Sequence, residues 1–177
     1  MIDPILQIIL VMETSDEDKS DNIYISKLLD ELYIQDNVVI QRIYLGGKRN
    51  YKNQKILKDI KSYTNMHKSI NNGSTTVIYF VDTYCEEECF KSGSFFYNLR
   101  SFIKDKGFEL VWFAKNIERT FLNRDLLISE NKKIVAKNFS QNTSIPKLNI
   151  KNFSSINIHK DSSNILLILD KYLKRKQ

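Results

Sequence analysis

Two apolar runs of strand length, each ending in a carboxylate, constrain this chain more than any other feature. The first is Ile5-Leu6-Gln7-Ile8-Ile9-Leu10-Val11-Met12, followed by Glu13; the second is Thr76-Val77-Ile78-Tyr79-Phe80-Val81, followed by Asp82. Runs this short and this apolar suit strands covered on both faces, the environment of a parallel sheet. In open parallel sheets, ligands bind beyond the carboxyl ends of the strands. Two carboxylates set there by neighbouring strands can share one cation.

The rest of the chain follows the same alternation. Ser20 or Asp21 is expected to cap a helix carrying Ile23, Tyr24, Leu28 and Leu32 at helical spacing. A second strand over 38–45 ends in the turn Gly46-Gly47-Lys48-Arg49, and a second helix is expected from about Lys52 to Met66, lysines outward. Asn71-Asn72-Gly73-Ser74 breaks the chain before the strand that ends at Asp82. A third helix over 94–105 closes at Lys106-Gly107, a fourth strand covers 108–113, and Asn116-Ile117-Glu118 opens a short helix through Leu122. From Asn131 to His159 the chain is polar and shows little periodicity. Asp161 or Ser162 is expected to cap a last helix with Ile165, Ile168, Leu169, Tyr172 and Leu173 on one stripe. Strands alternating with helices imply an α/β fold: a Rossmann-like three-layer parallel sheet of about four strands, joined by right-handed crossovers. Residues 1–125 form the α/β core. Residues 126–177 form a C-terminal extension of the same domain, ending in a helix.

A chain of 177 residues with 42% hydrophobic residues buries a substantial core and defaults to one domain. Five glycines and two prolines are too few for a sandwich dense in tight turns. The net charge of +6 is compatible with nucleic acid, although mild basicity also serves solubility. No basic leader or small-residue cleavage site marks a signal peptide, and no apolar run reaches the roughly 18 residues of a membrane span. A cytoplasmic chain with no membrane partner is therefore expected. Cys85 and Cys89 flank Glu86-Glu87-Glu88; with only His67 and His159 available, and both distant, a four-ligand zinc site is disfavoured. The cysteines read as ordinary thiols, and the three glutamates as a solvated run.

Glu13, Asp82 and Glu118 each follow a strand, and Asp21 opens the first helix, so all four acids fall on one expected sheet edge. Phosphodiester hydrolysis assisted by Mg²⁺ or Mn²⁺ needs hard oxygen ligands clustered in this way. Any single acid after a strand is more often a helix cap or a solvated loop residue. Gly46 and Gly47 would let a backbone approach closely, and Lys48 and Arg49 would meet a phosphate. Tyr79, Phe80, Trp112 and Phe113 read as core rather than as a base-stacking platform. The basic end (Lys171, Lys174, Arg175, Lys176) reads as a solvated helix terminus.

The layout of residues 5–125 resembles a Toprim-like domain of the kind found in RloB-type and OLD-type defence nucleases. Glu13 fits the glutamate that ends strand one in that family, and Asp21 the acid that opens the first helix. Gly46-Gly47 matches its glycine-rich turn, Asp82 the first aspartate of its Asp-x-Asp, and Asn116-Ile117-Glu118 its acid after strand four. The sequence departs at Thr14, where the family has glycine, at the long loop between Glu13 and Asp21, and at Tyr84, which replaces the second aspartate. The resemblance implies a metal-dependent nuclease of anti-phage defence or a mobile element, with Glu13 and Asp82 on Mg²⁺ or Mn²⁺ and Asp21 or Glu118 completing the shell. It also implies nucleic acid as partner; so small a chain leaves an ATPase subunit as a candidate protein partner, and the tail from Asn131 onward leaves a homo-oligomer open. The missing aspartate leaves open a degenerate module that binds nucleic acid or protein without chemistry. A receiver-like phosphoacceptor, with Lys115 after strand four, is the third reading, on fold analogy alone.

Overall fold

Alternate residues of the apolar runs face opposite sides of one sheet, and each side is covered by helices. A computed structural model describes residues 5–83 and 91–177 of the chain. Its elements are β1 (Leu6–Met12), α1 (Ser20–Leu32), β2 (Tyr33–Ile34), β3 (Val38–Tyr44), α2 (Gln54–Asn71), β4 (Thr75–Asp82), α3 (Phe95–Asp105), β5 (Glu109–Phe113), α4 (Ile117–Leu122), α5 (Lys132–Asn142), α6 (Ile165–Leu169) and β6 (Lys174–Arg175). Short 3₁₀ turns span Lys48–Lys52, Ile145–Lys147 and Ile150–Ser154.

The main sheet is all parallel in the order β3-β1-β4-β5, with Met12 of β1 level with Tyr44 on one side and Phe80 on the other. The fold class expected from the alternation is the one observed. One face buries Ile8, Leu10, Met12, Phe80 and Phe113 against Tyr24, Leu28 and Leu29 of α1 and the C-terminal region. The other buries Ile9, Val11, Tyr79, Val81 and Trp112 against Ile56 and Ile60 of α2 and Leu99 and Ile103 of α3. The period of two along each strand divides these cores. From β1 the chain crosses to β3, then returns past β1 to β4. The connections therefore change face between β1 and β4, which makes that junction the switch point where α/β sheets bind ligands.

Several expectations are corrected. Neither Ser20 nor Asp21 caps α1: the cap position is Lys19, in a left-handed conformation (φ 54°), with no side-chain cap bond. The second helix starts later and ends later than expected, because Asn53 accepts from Lys55 N–H and caps α2 at Gln54, after a separate 3₁₀ turn. The stretch read as lacking periodicity contains α5, whose Phe139 packs at 5.0 Å from the Tyr24 ring. The last helix is five residues long, and neither Asp161 nor Ser162 caps it. The following basic segment is not a helix terminus. Lys174 and Arg175 pair antiparallel with Ile34 and Tyr33, and Arg175 and Lys171 form ion pairs with Asp170 and Glu109. The segment preceding α6 covers the open edge of β5: Asn164 accepts from Trp112 N–H and donates to Leu110 O, both at 2.9 Å. Tyr79, Phe80, Trp112 and Phe113 are core residues, as read. Tyr84, both cysteines and the three glutamates between them lie outside the described residues. Among the described residues no helix is long and apolar enough to cross a membrane.

Candidate functional site

β1 and β4 end side by side, so the residues that leave them share one edge. Glu13 leaves β1, and its Oε2 accepts from Asp82 N–H at 3.1 Å, which ties the two strand ends together. Asp82 turns its carboxylate toward α4, where Oδ1 accepts from Ile117 N–H at 2.9 Å. Asn116 caps α4 by accepting from Arg119 N–H, and this fixes the next residue but one, Glu118, with only 1% of its surface exposed. Asp21, in the first turn of α1, accepts from Thr14 N–H at 3.3 Å. Both Asp21 and Asp82 are 6% exposed.

Asp21 and Asp82 respond to the charge of the acids around them. Burial pushes the Asp21 carboxyl up to about 7, with Glu118 and then Glu13 adding to the rise; Lys132 and the Thr14 N–H act against it. Burial also pushes Asp82 well above the usual carboxylate range, reinforced by Asp21, Glu13 and Glu118. Each ionised carboxylate raises the cost of ionising the next, and the low-polarity surroundings amplify that cost. The counter-charge comes from Lys132, at the start of α5, whose Nζ lies 3.0 Å from Glu118 Oε1. Burial lowers the Lys132 ammonium, but Glu118, Asp82 and Asp21 outweigh it and hold the group above its ordinary range.

The cluster contains unmet polar groups. Among the described residues, Glu118 Oε1 has only the Lys132 ammonium beside it, Oε2 has no partner, and the buried hydroxyls of Tyr24 and Thr14 also lack partners. Burial, then the charges of Glu118 and Asp21, raises the Tyr24 phenol. Buried polar atoms are nearly always paired, so three unpaired atoms around one cluster mark it as a place where stability has been given up. A cleft of about 450 Å³ lined by Lys115, Asn116, Glu118, Asp125 and Lys132 opens onto it.

The donor chemistry, all hard carboxylate oxygen, fits a divalent cation such as Mg²⁺ or Mn²⁺, and the orphaned Glu118 oxygen offers it a ligand. The spacing does not yet meet that demand. Among the described residues no three carboxylate, imidazole or thiol groups are placed to hold a metal ion between them.

The glycine turn lies against this edge. Gly46 N–H donates to Thr14 O at 3.1 Å, and Gly47 N–H donates to Glu13 O at 2.9 Å. Both glycines have positive φ, 64° and 121°, and a Cβ on either would meet open space. Left-handed backbone, rather than close approach of the neighbouring chain, is what requires glycine here. Lys48 lies over the Phe95 ring at 5.2 Å, and Arg49 is exposed. Lys115 is directed elsewhere, pairing with Asp125 at 2.8 Å.

Sequence reasoning named Glu13, Asp21, Asp82, Glu118 and the glycine turn, and the fold brings these together. It missed Lys132, Tyr24 as a polar group, and Thr14. Lys132 follows the cap residue Asn131 at the start of α5, a helix too weakly patterned to read. Tyr24 sits on an apolar stripe and reads as core. No protein-family model, curated protein or solved structure matches the chain.

Proposed function

We propose that the chain is a Toprim-like, Mg²⁺- or Mn²⁺-dependent phosphodiester hydrolase acting on nucleic acid, of the defence-nuclease type. The observation that carries this reading is the set of four carboxylates at the switch point, three of them buried, with one ammonium as counter-charge and an orphaned oxygen on Glu118. Glu13 and Asp82, from adjacent strands, would hold the metal ion. When bound, the ion supplies an activated water and neutralises charge on the leaving oxygen. Asp21, held near neutrality, exchanges a proton at working pH and is suited to take one from the attacking water. Glu118 orients that water or completes the ligand set. Lys48 and Arg49 bind the phosphate that flanks the scissile bond.

Calorimetric titration of Mg²⁺ and Mn²⁺ into the parent and Asp82→Asn, with and without a short oligonucleotide, tests this reading. Saturable binding lost in Asp82→Asn, with cleavage of the oligonucleotide abolished in the same variant, is the expected result. Cleavage unchanged in Asp82→Asn would sink the assignment.

A second reading has its own support. Lys132 already supplies positive charge to the cluster, and the carboxylates as placed do not converge on a metal. A module that kept the fold and replaced the metal with an ammonium would bind nucleic acid or a protein such as an ATPase subunit without cleaving anything. That module predicts association that survives EDTA and no saturable metal binding.

A further inference from the structure

One concentration of positive charge adjoins the carboxylate edge. Residues 46–71 contain seven basic residues (Lys48, Arg49, Lys52, Lys55, Lys58, Lys61 and Lys68) and one acid, Asp59. The net charge of this segment is +6, as large as that of the whole chain; residues 131–160, with six lysines and no acid, carry as much, but they do not adjoin the glycine turn in sequence. In the fold this segment is the turn at the carboxylate edge, the 3₁₀ turn and α2. α2 turns Ile56, Ile60 and His67 inward, which leaves Lys55, Lys58, Lys61 and Lys68 exposed on the opposite side.

A solvated helix face normally intersperses acids that pair with its lysines. Some basic residues elsewhere in the chain follow that pattern. Lys27 of α1 pairs with Glu31, and Lys132 of α5 with Glu118. Lys171 and Arg175 pair with Glu109 and Asp170. On α2, none of Lys55, Lys58, Lys61 and Lys68 forms an ion pair with another described residue. The row also has a direction. It begins at Gly47, hydrogen-bonded to Glu13, and α2 carries it away from the carboxylates along one face of the sheet. At 1.5 Å per residue, Lys55 to Lys68 spans about 20 Å. That length matches roughly six nucleotides of one duplex strand at 3.4 Å each.

We propose that the exposed face of α2, continuous with the 48–52 turn, is the surface that holds the nucleic-acid backbone and delivers it to the carboxylate edge. It rests on the reading of that edge as a phosphodiester site. The contact is electrostatic and insensitive to sequence, because lysine ammoniums meet phosphates as point charges. Neutralising these lysines weakens binding for every sequence and flattens its salt dependence.

The test is fluorescence anisotropy of labelled 20-nucleotide DNA and RNA, in EDTA, across a salt series. The proteins compared are the parent, the triple variant Lys55→Gln/Lys58→Gln/Lys61→Gln, and a control triple of exposed lysines elsewhere, Lys137→Gln/Lys147→Gln/Lys151→Gln. The expected result is at least a tenfold loss of affinity in the α2 triple, a slope of log K against log salt shallower by about 2, and less than a twofold change in the control. Lys58→Glu alone weakens binding more than Lys58→Gln, with an unchanged melting temperature. Equal losses in the two triples would overturn the proposal. So would a parent that binds neither oligonucleotide, or an α2 triple that loses binding only to vesicles of anionic lipid. Metal calorimetry on the same proteins keeps the two readings apart: a parent that binds oligonucleotide through α2 but takes up no Mg²⁺ or Mn²⁺ leaves this surface standing and removes the hydrolase.

Discussion

At the amino end of the sheet His67 is buried between α2 and the start of β1. Its Nε2–H donates to Ile5 O at 2.9 Å, and its Nδ1 accepts from the Asn71 amide at 3.0 Å. Nearby, the buried Gln7 side chain accepts from Thr75 Oγ1 at 2.9 Å. At the carboxyl end the same two inner strands deliver Glu13 and Asp82 into a cluster where Glu118, Tyr24 and Thr14 carry unpaired atoms. Both ends bury polar groups, but among the described residues only the carboxyl end leaves some of them without a partner. A buried polar atom without a partner costs about 1–3 kcal/mol, while a paired one is close to neutral. The amino end is therefore a structural joint. The carboxyl end holds free energy that a bound cation, or a change of protonation, can release.

Substitutions at the two ends should differ in size and in sign. The largest effect is expected at the amino end. A Cβ on Gly73 would sit 1.9 Å from Ile5 O and 2.6 Å from His67 Nε2, and the backbone oxygen cannot move aside. Gly73→Ala should lower unfolding free energy in urea by about 3 kcal/mol, at the upper end of overpacking costs; a loss below about 1 kcal/mol would mean the joint is loose.

The carboxyl end should respond to pH. Asp21 titrates near 7 in the folded chain and near 3.8 otherwise, so between those values the folded state binds more protons than the unfolded one. Stability then declines as pH rises from about 4 to about 7, and the raised Asp82 carboxyl adds in the same direction. The urea midpoint should be lower at pH 8 than at pH 5. Asp21→Asn should flatten that decline and exceed the parent at pH 8 by about 2 kcal/mol. An unchanged slope in Asp21→Asn would erase the distinction between the two ends.

The smallest expected effect compares two tyrosines. Tyr33 Oη donates to Asp170 Oδ1 at 2.7 Å, whereas Tyr24 Oη is buried without a partner. Tyr33→Phe should cost about 1 kcal/mol, and Tyr24→Phe should be neutral or stabilising by up to about 1 kcal/mol. Equal costs, measured by the same unfolding curves, would show that Tyr24 is paired in solution.

Much of this architecture was legible in the chain because its signals are local. Apolar runs of strand length, the glycine breaks at Gly46, Gly47 and Gly107, and the helix openings at Ser94 and Asn116 each act within a few residues. The boundaries of β1, β4, α3 and α4 follow from them. The four acids were readable as a group because element order alone puts the ends of parallel strands on one edge. α5 was not readable, since its helix is held by packing of Phe139 on Tyr24 and Phe121 rather than by its own pattern. The β2–β6 ladder was hidden for a related reason: two residues at each site carry no periodicity, and their pairing is decided by where α1 and α6 place them.

The sequence by itself determined that strands and helices alternate, that the inner strands are buried on both faces, and that carboxylates follow them. Composition and short-range spacing settle such features. Tertiary structure alone decided that Lys132 supplies the counter-charge, that Glu118 is buried with one oxygen unmet among the described residues, and that the turn leading to the lysines of α2 is hydrogen-bonded to Glu13. Burial and charge neighbours arise from groups far apart in the chain, and at low dielectric they set the chemistry more strongly than residue identity does.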